Sequence, residues 1–357
     1  MSSLLTDATE LLDSLIRIPS YSREEHQTAA LLQQTLQGYG LHGVCRLHNN
    51  VYVRAAAWDD RHPVLLLNAH HDTVRPSAGY SNPPHEPIHR DGRIYGLGSN
   101  DDGASVVALT AAFRHFYQTP LPFNLLLAIS AEEEVTGSNG MRALWPELGR
   151  VDMALVGEPT GMQAATGERG LLVLDCLAHG KRGHAARNEG INALYRAVDD
   201  ISHLRSHKFD RVSELLGDIK ITTTMIQAGT QHNVIPDECR FVVDVRTTDA
   251  YTNEQTLQII KSIINSDVSA RSTHIRASAI DRSHPLVQAA VATGRGLYVS
   301  PTTSDMSVIP VPSLKMGPGE SSRSHSADEY VTLDEIEQGI QLYIQYLNTL
   351  SKYVTME

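Results

Sequence analysis

Three adjacent glutamates, Glu132, Glu133 and Glu134, close the apolar run Leu125-Leu126-Leu127-Ala128-Ile129. Their mutual repulsion is costly at the end of a buried strand unless water or a bound cation relieves it. Other acids and histidines recur in similar settings. His70-His71-Asp72 follows the apolar stretch that begins at Val64, and Asp101 follows Gly96-Leu97-Gly98-Ser99-Asn100. Glu158 stands in Gly157-Glu158-Pro159-Thr160, and His325 lies in a glycine- and serine-rich loop that starts at Gly317. Singly, each has an ordinary reading: the start of a loop, a helix cap, a turn acid before proline, a solvated loop histidine. Together, His70, Glu134 and Glu158 fall at the carboxyl ends of predicted strands, where open α/β sheets build their sites, and Asp101 and His325 fall in loops able to reach the same edge. Two histidines and three carboxylates without a thiolate suit a pair of divalent, zinc-like ions sharing one carboxylate. Alternation puts His70 and Asp72 on one side of an extended chain, a pairing that can serve as a ligand and its orienter. Gly96-Leu97-Gly98 lacks the third glycine of a dinucleotide fingerprint, so that reading is rejected.

The elements that must position these residues follow from hydrophobic periodicity. Leu11, Leu12, Leu15 and Ile16 form a helical face that stops before Pro19, and Ser22 with Glu25 reads as a capping box opening a second helix that runs to Gly38. Residues 51–57, 64–67, 124–130 and 154–156 read as strands, and 104–116 as a helix. This alternation predicts an α/β fold with a mostly parallel sheet and helices on both faces. From Glu168 the order changes to strand 171–177, helix 193–203, strands 219–226 and 240–245, helix 253–265 and strand 274–279. That β-α-β-β-α-β series is a ferredoxin-like α+β unit. Helices predicted at 287–297 and 333–347 then return to cover the first sheet. The expected organisation is a catalytic domain formed by 1–167 and 282–357, interrupted by an inserted domain at 168–281.

Bulk properties narrow the function classes. The 357 residues suit two domains, and a net charge of −11 disfavours both a nucleic-acid surface and an anionic membrane. No apolar run approaches the ~20 residues of a spanning helix, and the polar start Met1-Ser2-Ser3 does not read as a signal peptide. Cys45, Cys176 and Cys239 are few and scattered, which fits reduced thiols and a cytoplasmic location.

The ordered motifs resemble the dinuclear zinc deacylase and exopeptidase superfamily that contains acetylornithine deacetylase, succinyl-diaminopimelate desuccinylase and aminoacylase. The resemblance covers nearly the whole chain. It rests on His70-x-Asp72, Gly96-x-Gly98-x-x-Asp101, Glu133-Glu134, Gly157-Glu158-Pro159-Thr160 and His325, together with Gly183-His184-Ala185-Ala186, Gly190-x-Asn192-Ala193, Asn233-Val234-Ile235-Pro236 and Asp244-Val245-Arg246. It implies two divalent ions, zinc first and cobalt as the alternative. Asp101 would bridge them, His70 and Glu158 completing one site and Glu134 and His325 the other. It further implies Asp72 as the holder of the His70 ring, Glu133 as general acid and base, and a homodimer formed through the inserted domain. His184 would then reach the partner's site, and Arg169, Asn233 and Arg246 would lie near the substrate, Arg246 facing its α-carboxylate. Where the family usually has Asp-Met-Lys-Gly-Gly, this chain has Asp101-Asp102-Gly103-Ala104-Ser105, and a cis peptide is expected between Asp101 and Asp102. The short Gly103–Ser105 stretch is similar to acylornithine- and acyllysine-type members. The implied activity is hydrolysis of a small N-acyl amino acid, N-acetyl- or N-succinyl-ornithine or -citrulline, in arginine biosynthesis. A dipeptidase, a carboxypeptidase or an acyl-lysine or acyl-diaminopimelate deacylase would share every metal residue.

Overall fold

Strands Val64–His70 and Asn124–Ser130 are buried at all seven of their positions, a pattern that requires cover on both faces of the sheet. Alternation sorts their side chains. Leu65, Leu67, Ala69, Leu125, Leu127 and Ile129 join the core formed with helices Ser3–Ile16, Ala104–Phe116 and Leu333–Leu350. Val64, Leu66, Leu126 and Ala128 join the opposite core, formed with helix Met141–Leu148. The computed structural model describes residues 3–187 and 189–354, so Met1 and Ser2 of the polar start lie outside the described residues.

The chain divides into two compact units: Met1–Gly167 with Ile280–Ser300 and Ser304–Glu357, and Glu168–Ala279 with Pro301–Thr303. In the first, the sheet order is Cys45–Leu47, Asn50–Arg54, Asn124–Ser130, Val64–His70, Met153–Val156, Ser313–Lys315, Ala164–Glu168, with Leu297–Ser300 pairing the last of these. The pairings among Asn124–Ser130, Val64–His70, Met153–Val156 and Ser313–Lys315 are parallel, and the flanking ones are antiparallel. The α/β class with a mostly parallel sheet is as the sequence predicts. Because the central strands are parallel, their carboxyl ends share one edge. The final helix opens on a capping box: Thr332 Oγ1 accepts the Glu335 N–H at 3.1 Å, and Glu335 Oε2 accepts the Thr332 N–H at 2.8 Å.

The second unit contains an antiparallel sheet in the order Lys220–Ala228, Glu238–Thr247, Gly170–His179, Asp267–Ala270. Burial alternates along Gly170–His179, with Leu172, Leu174, Cys176 and Ala178 packed into a core with helices Ala193–Ser206 and Asn253–Ile263. A short ribbon pairs Gly183–His184 with Val234–Ile235.

Three local expectations are corrected. Ser22 and Glu25 form no capping box; the helix begins at His26, Ser22 Oγ donates to Asp72 Oδ2 at 2.7 Å, and Glu25 accepts from Arg23 N–H and Asn49. The predicted helix at 287–297 ends at Ala292, where Gly294 takes a left-handed φ of 75°, and Leu297–Ser300 is a strand. The fourth strand of the insert's sheet is Asp267–Ala270; of the expected 274–279 only Ser278–Ala279 is a strand, and it does not belong to that sheet. The Asn253 amide donates to the carbonyls of Thr273 and Ile275 at 3.0 and 2.7 Å, and the Ile275 carbonyl also accepts the Leu171 N–H at 3.0 Å, so a side chain and a single backbone bond hold this stretch in place of a ladder.

Candidate metal centre

The three glutamates diverge because the backbone turns sharply after strand Asn124–Ser130. Glu132 takes a left-handed φ of 56° and starts a short 3₁₀ turn over Glu133–Val135. Its carboxylate points away from the site, accepting from Asn139 N–H at 3.2 Å and from the Asn139 amide at 3.0 Å. Glu132 therefore ties the following loop in place. Glu133 Oε2 lies 3.9 Å from His70 Nε2, and both Glu134 oxygens lie 2.9 Å from His325 Nε2.

Asp101 stands between the two imidazoles. Its Oδ1 is 3.2 Å from His70 Nε2 and its Oδ2 is 3.8 Å from His325 Nε2. Glu158 Oε1 is 3.9 Å from His70 Nε2. The peptide between Asp101 and Asp102 is cis. All five expected ligands thus converge at the edge of the first unit. Two groupings have donor atoms within 4.8 Å of one another: His70 with Asp101 and Glu134, and His70 with Glu133 and Glu158. These groupings differ from the expected pairings in that neither includes His325, which is grouped instead through Glu134 and Asp101. The nitrogen- and oxygen-only donor set, its two imidazoles flanked by carboxylates, fits divalent ions of zinc-like preference.

Support lies directly behind the donors. His70 Nδ1 is 2.9 Å from the Asp72 carbonyl oxygen and 3.5 Å from Asp72 Oδ1, so the backbone oxygen is the nearer orienting group. The fully buried Asp72 carboxylate accepts the N–H groups of Glu133 and Glu134 at 3.0 and 3.2 Å as well as the Ser22 hydroxyl. One side chain therefore fixes the turn that carries Glu133 and Glu134. His71 faces the other way, toward Thr28 Oγ1 and the Asn49 carbonyl, and burial pulls its pKa down to about 4.

The electrostatics are those of crowded acids. Burial pushes Glu133 well above its ordinary value; the charge of His70 opposes this, and those of Glu158, Asp305 and Glu134 add to it. Burial also raises Glu158, against the charge of buried Lys315. Burial alone would lower His70, but hydrogen bonds to Asp101 and Asp72 and the charge of Glu133 leave it well above 6.5. Divalent cations relieve this kind of repulsion directly.

Sequence reasoning missed two buried acids here. Asp305 accepts from Ser130 Oγ at 2.6 Å, and burial raises it to about 6. Glu329 is 2% exposed and grips the turn that carries Asp101. Local sequence offered one signal only, the closeness of Glu329 to His325.

The remaining expected residues lie on the second unit. His184 is exposed on the short ribbon; its Nδ1 accepts the Ala186 N–H at 3.1 Å, so the neutral ring carries its proton on Nε2. The Asn233 carbonyl accepts the Ala185 N–H at 3.0 Å, which sets Asn233 beside His184. Arg169 donates to the carbonyls of Leu216 and Asp218. Arg246 makes a two-pronged contact with Asp244 at 2.9 and 3.1 Å. Asn192 caps helix Ala193–Ser206 by accepting the Leu194 N–H.

Fold and donor set define a metal-dependent hydrolase. Residues 66–349 match the model of Peptidase family M20/M25/M40, and the chain belongs to that family. It is 29% identical to a succinyl-diaminopimelate desuccinylase of Paracoccus denitrificans, an alignment covering 96% of this chain and 98% of that protein. Among solved structures, it is similar to aminopeptidase PepT of Bacillus cereus, with a TM-score of 0.78, 19% identity and 97% and 98% of the two chains covered. It is also similar to the Bacillus subtilis YXEP protein, a dinuclear metal binding peptidase of the M20 family, with a TM-score of 0.72, 15% identity and 99% and 100% covered. Among the described residues no helix is long and apolar enough to cross a membrane.

Proposed function

We propose that this protein hydrolyses the amide bond of an N-acyl amino acid, N-acetyl- or N-succinyl-ornithine or -citrulline, as a cytoplasmic homodimer in arginine biosynthesis. The observation that carries the reading is the position of Glu133. Its carboxylate is 3.9 Å from His70 Nε2 while Glu134 is engaged with His325, which supports giving Glu133 the proton-carrying role beside the proposed ligands. His70, Asp101, Glu134, Glu158 and His325 would hold two divalent ions, zinc by preference. When bound, such ions supply Lewis acidity and a water acidified toward neutral pH.

The chain's own residues do the rest. Glu133 accepts the proton of the attacking water and returns it to the departing amino nitrogen. Asp72 holds the turn beneath Glu133 and keeps the His70 ring oriented. His184 of one protomer donates from Nε2 to the developing oxyanion in its partner's site. Arg246 takes the substrate α-carboxylate, with Arg169 and Asn233 nearby.

A second reading is favoured by the desuccinylase relative, whose name specifies an acylated diaminopimelate. A substrate panel tests both. Purified protein with zinc or cobalt is expected to release amine from N-acetyl- or N-succinyl-ornithine or -citrulline faster than from succinyl-diaminopimelate, acyl-lysine or dipeptides. Preference for succinyl-diaminopimelate would replace the first reading with the second, and preference for dipeptides would overturn both.

A further inference from the structure

Buried Glu329 is engaged by three backbone N–H groups of one turn. Its Oε1 accepts the N–H groups of Asn100 and Asp101 at 2.9 and 2.8 Å, and its Oε2 accepts the N–H of Gly98 at 3.0 Å. Its own carbonyl accepts the Gly96 N–H at 3.0 Å, so the grip is anchored at both ends. Gly98 sits at φ 75°, and a Cβ there would meet Thr73 Cγ2 at 2.6 Å, so this position of the turn favours glycine.

The same turn is joined to the His325 loop. Asn100 Oδ1 accepts the Glu320 N–H at 2.9 Å, and its amide donates to the Glu320 carbonyl at 3.1 Å. Glu320 is bridged in turn to Thr160, two residues beyond Glu158. Farther along, Arg323 makes a two-pronged ion pair with Glu335 at 2.8 and 2.9 Å, tying this loop to the final helix. One segment, residues 325–329, therefore carries His325 at one end and the residue that fixes Asp101 at the other.

We propose that Glu329 is the positioning residue of the bridging carboxylate, holding the Asp101 backbone so that its two oxygens face His70 and His325 before any ion arrives. A buried acid this close to Asp101 is electrostatically unfavourable for folding alone, and three converging N–H groups are what stabilise it. Its return is preorganisation: the bridging ligand does not have to be ordered at the moment of binding. The inference rests on the two-ion reading above.

The test is metal affinity, measured on metal-stripped protein by titrating Zn²⁺ or Co²⁺ against a competing chelator. Losing an outer partner of a metal ligand typically costs about 10–100-fold in affinity. Glu329→Ala is expected to weaken at least one of two ions by about 10-fold or more. Glu329→Gln keeps one acceptor oxygen for Asn100 and Asp101 but sets a donor against the Gly98 N–H, and is expected between Glu329→Ala and the unaltered protein. Far-UV circular dichroism and thermal melting of the metal-free proteins separate folding from binding. Should the alanine variant not fold, the glutamine variant decides, with a loss of about threefold or more expected. Metal affinity unchanged in the folded variants, even with a lowered melting temperature, overturns the proposal. Failure of the unaltered protein to bind two divalent ions instead overturns the reading beneath it.

Discussion

The two units bury charge to different extents, although the second also holds one acid on backbone: buried Asp200 accepts the N–H groups of Asn265 and Ser266 at 3.0 and 2.8 Å. In the first, carboxyl groups are buried and bound to backbone: Asp72 to the N–H groups of Glu133 and Glu134, and Glu329 to those of Gly98, Asn100 and Asp101. In the second, the sheet face away from its helices carries exposed pairs such as Arg271–Asp175, 2.8 Å apart with side chains 56% and 52% exposed, and Arg240–Glu238. Exposed pairs of this kind contribute little to stability, whereas a buried acid deprived of its partners is costly. The first unit thus fixes its chemistry rigidly in place. The second can alter its exposed residues at small cost to folding.

The largest effect that would sharpen this contrast is at Glu133. Glu133→Gln is expected to lower turnover by about 10²–10⁴-fold while metal content stays the same, because the amide preserves shape and removes the proton acceptor. Retained turnover would remove Glu133 from the proton-carrying role. Next comes His184, exposed on its ribbon. His184→Ala is expected to lower turnover by about 10²–10³-fold with the melting temperature and metal affinity unaltered. A large fall in melting temperature would break the comparison, since it would make an exposed insert residue part of the folding core.

How much of this was legible in the sequence follows the same division. Of the proposed ligands, His70, Glu134 and Glu158 stand out because a charge at the end of an apolar run is conspicuous, whereas Asp101 and His325, in loops, are joined to them by the family resemblance. Asp305 and Glu329 could not be read that way. Asp305 finds Ser130 across 175 residues and Glu329 finds Gly98 across 231, and neither stands in a periodic pattern. The Ser22–Glu25 capping signature misled because a tertiary partner competed: Asp72 captured the Ser22 hydroxyl. In the insert, 274–279 reads as one strand, yet only Ser278–Ala279 forms one, and the Asn253 side chain holds the carbonyls of Thr273 and Ile275 ahead of it. In each case a side chain distant in sequence took a backbone or hydroxyl group that local rules assign elsewhere.

The smallest expected effect concerns a titrating group of the first unit that lies outside the metal cluster. His284 caps helix Pro285–Ala292, its Nδ1 accepting the Leu286 N–H at 3.2 Å, which only an unprotonated Nδ1 can do. Burial lowers its pKa below 6.5, against the charge of Asp281. As pH falls, the unfolded chain takes up this proton before the folded one does. The cap's contribution is therefore present above about pH 6.5 and is lost progressively as the pH drops below it. His284→Asn supplies an acceptor that does not titrate, and asparagine is among the better N-caps. Melting of the two metal-stripped proteins between pH 7.5 and 5.5 is expected to converge or cross, the asparagine variant losing less on acidification. All other titrating groups are common to both proteins and cancel in the difference. Parallel melting curves across that range would mean that the cap does not depend on the charge state of His284.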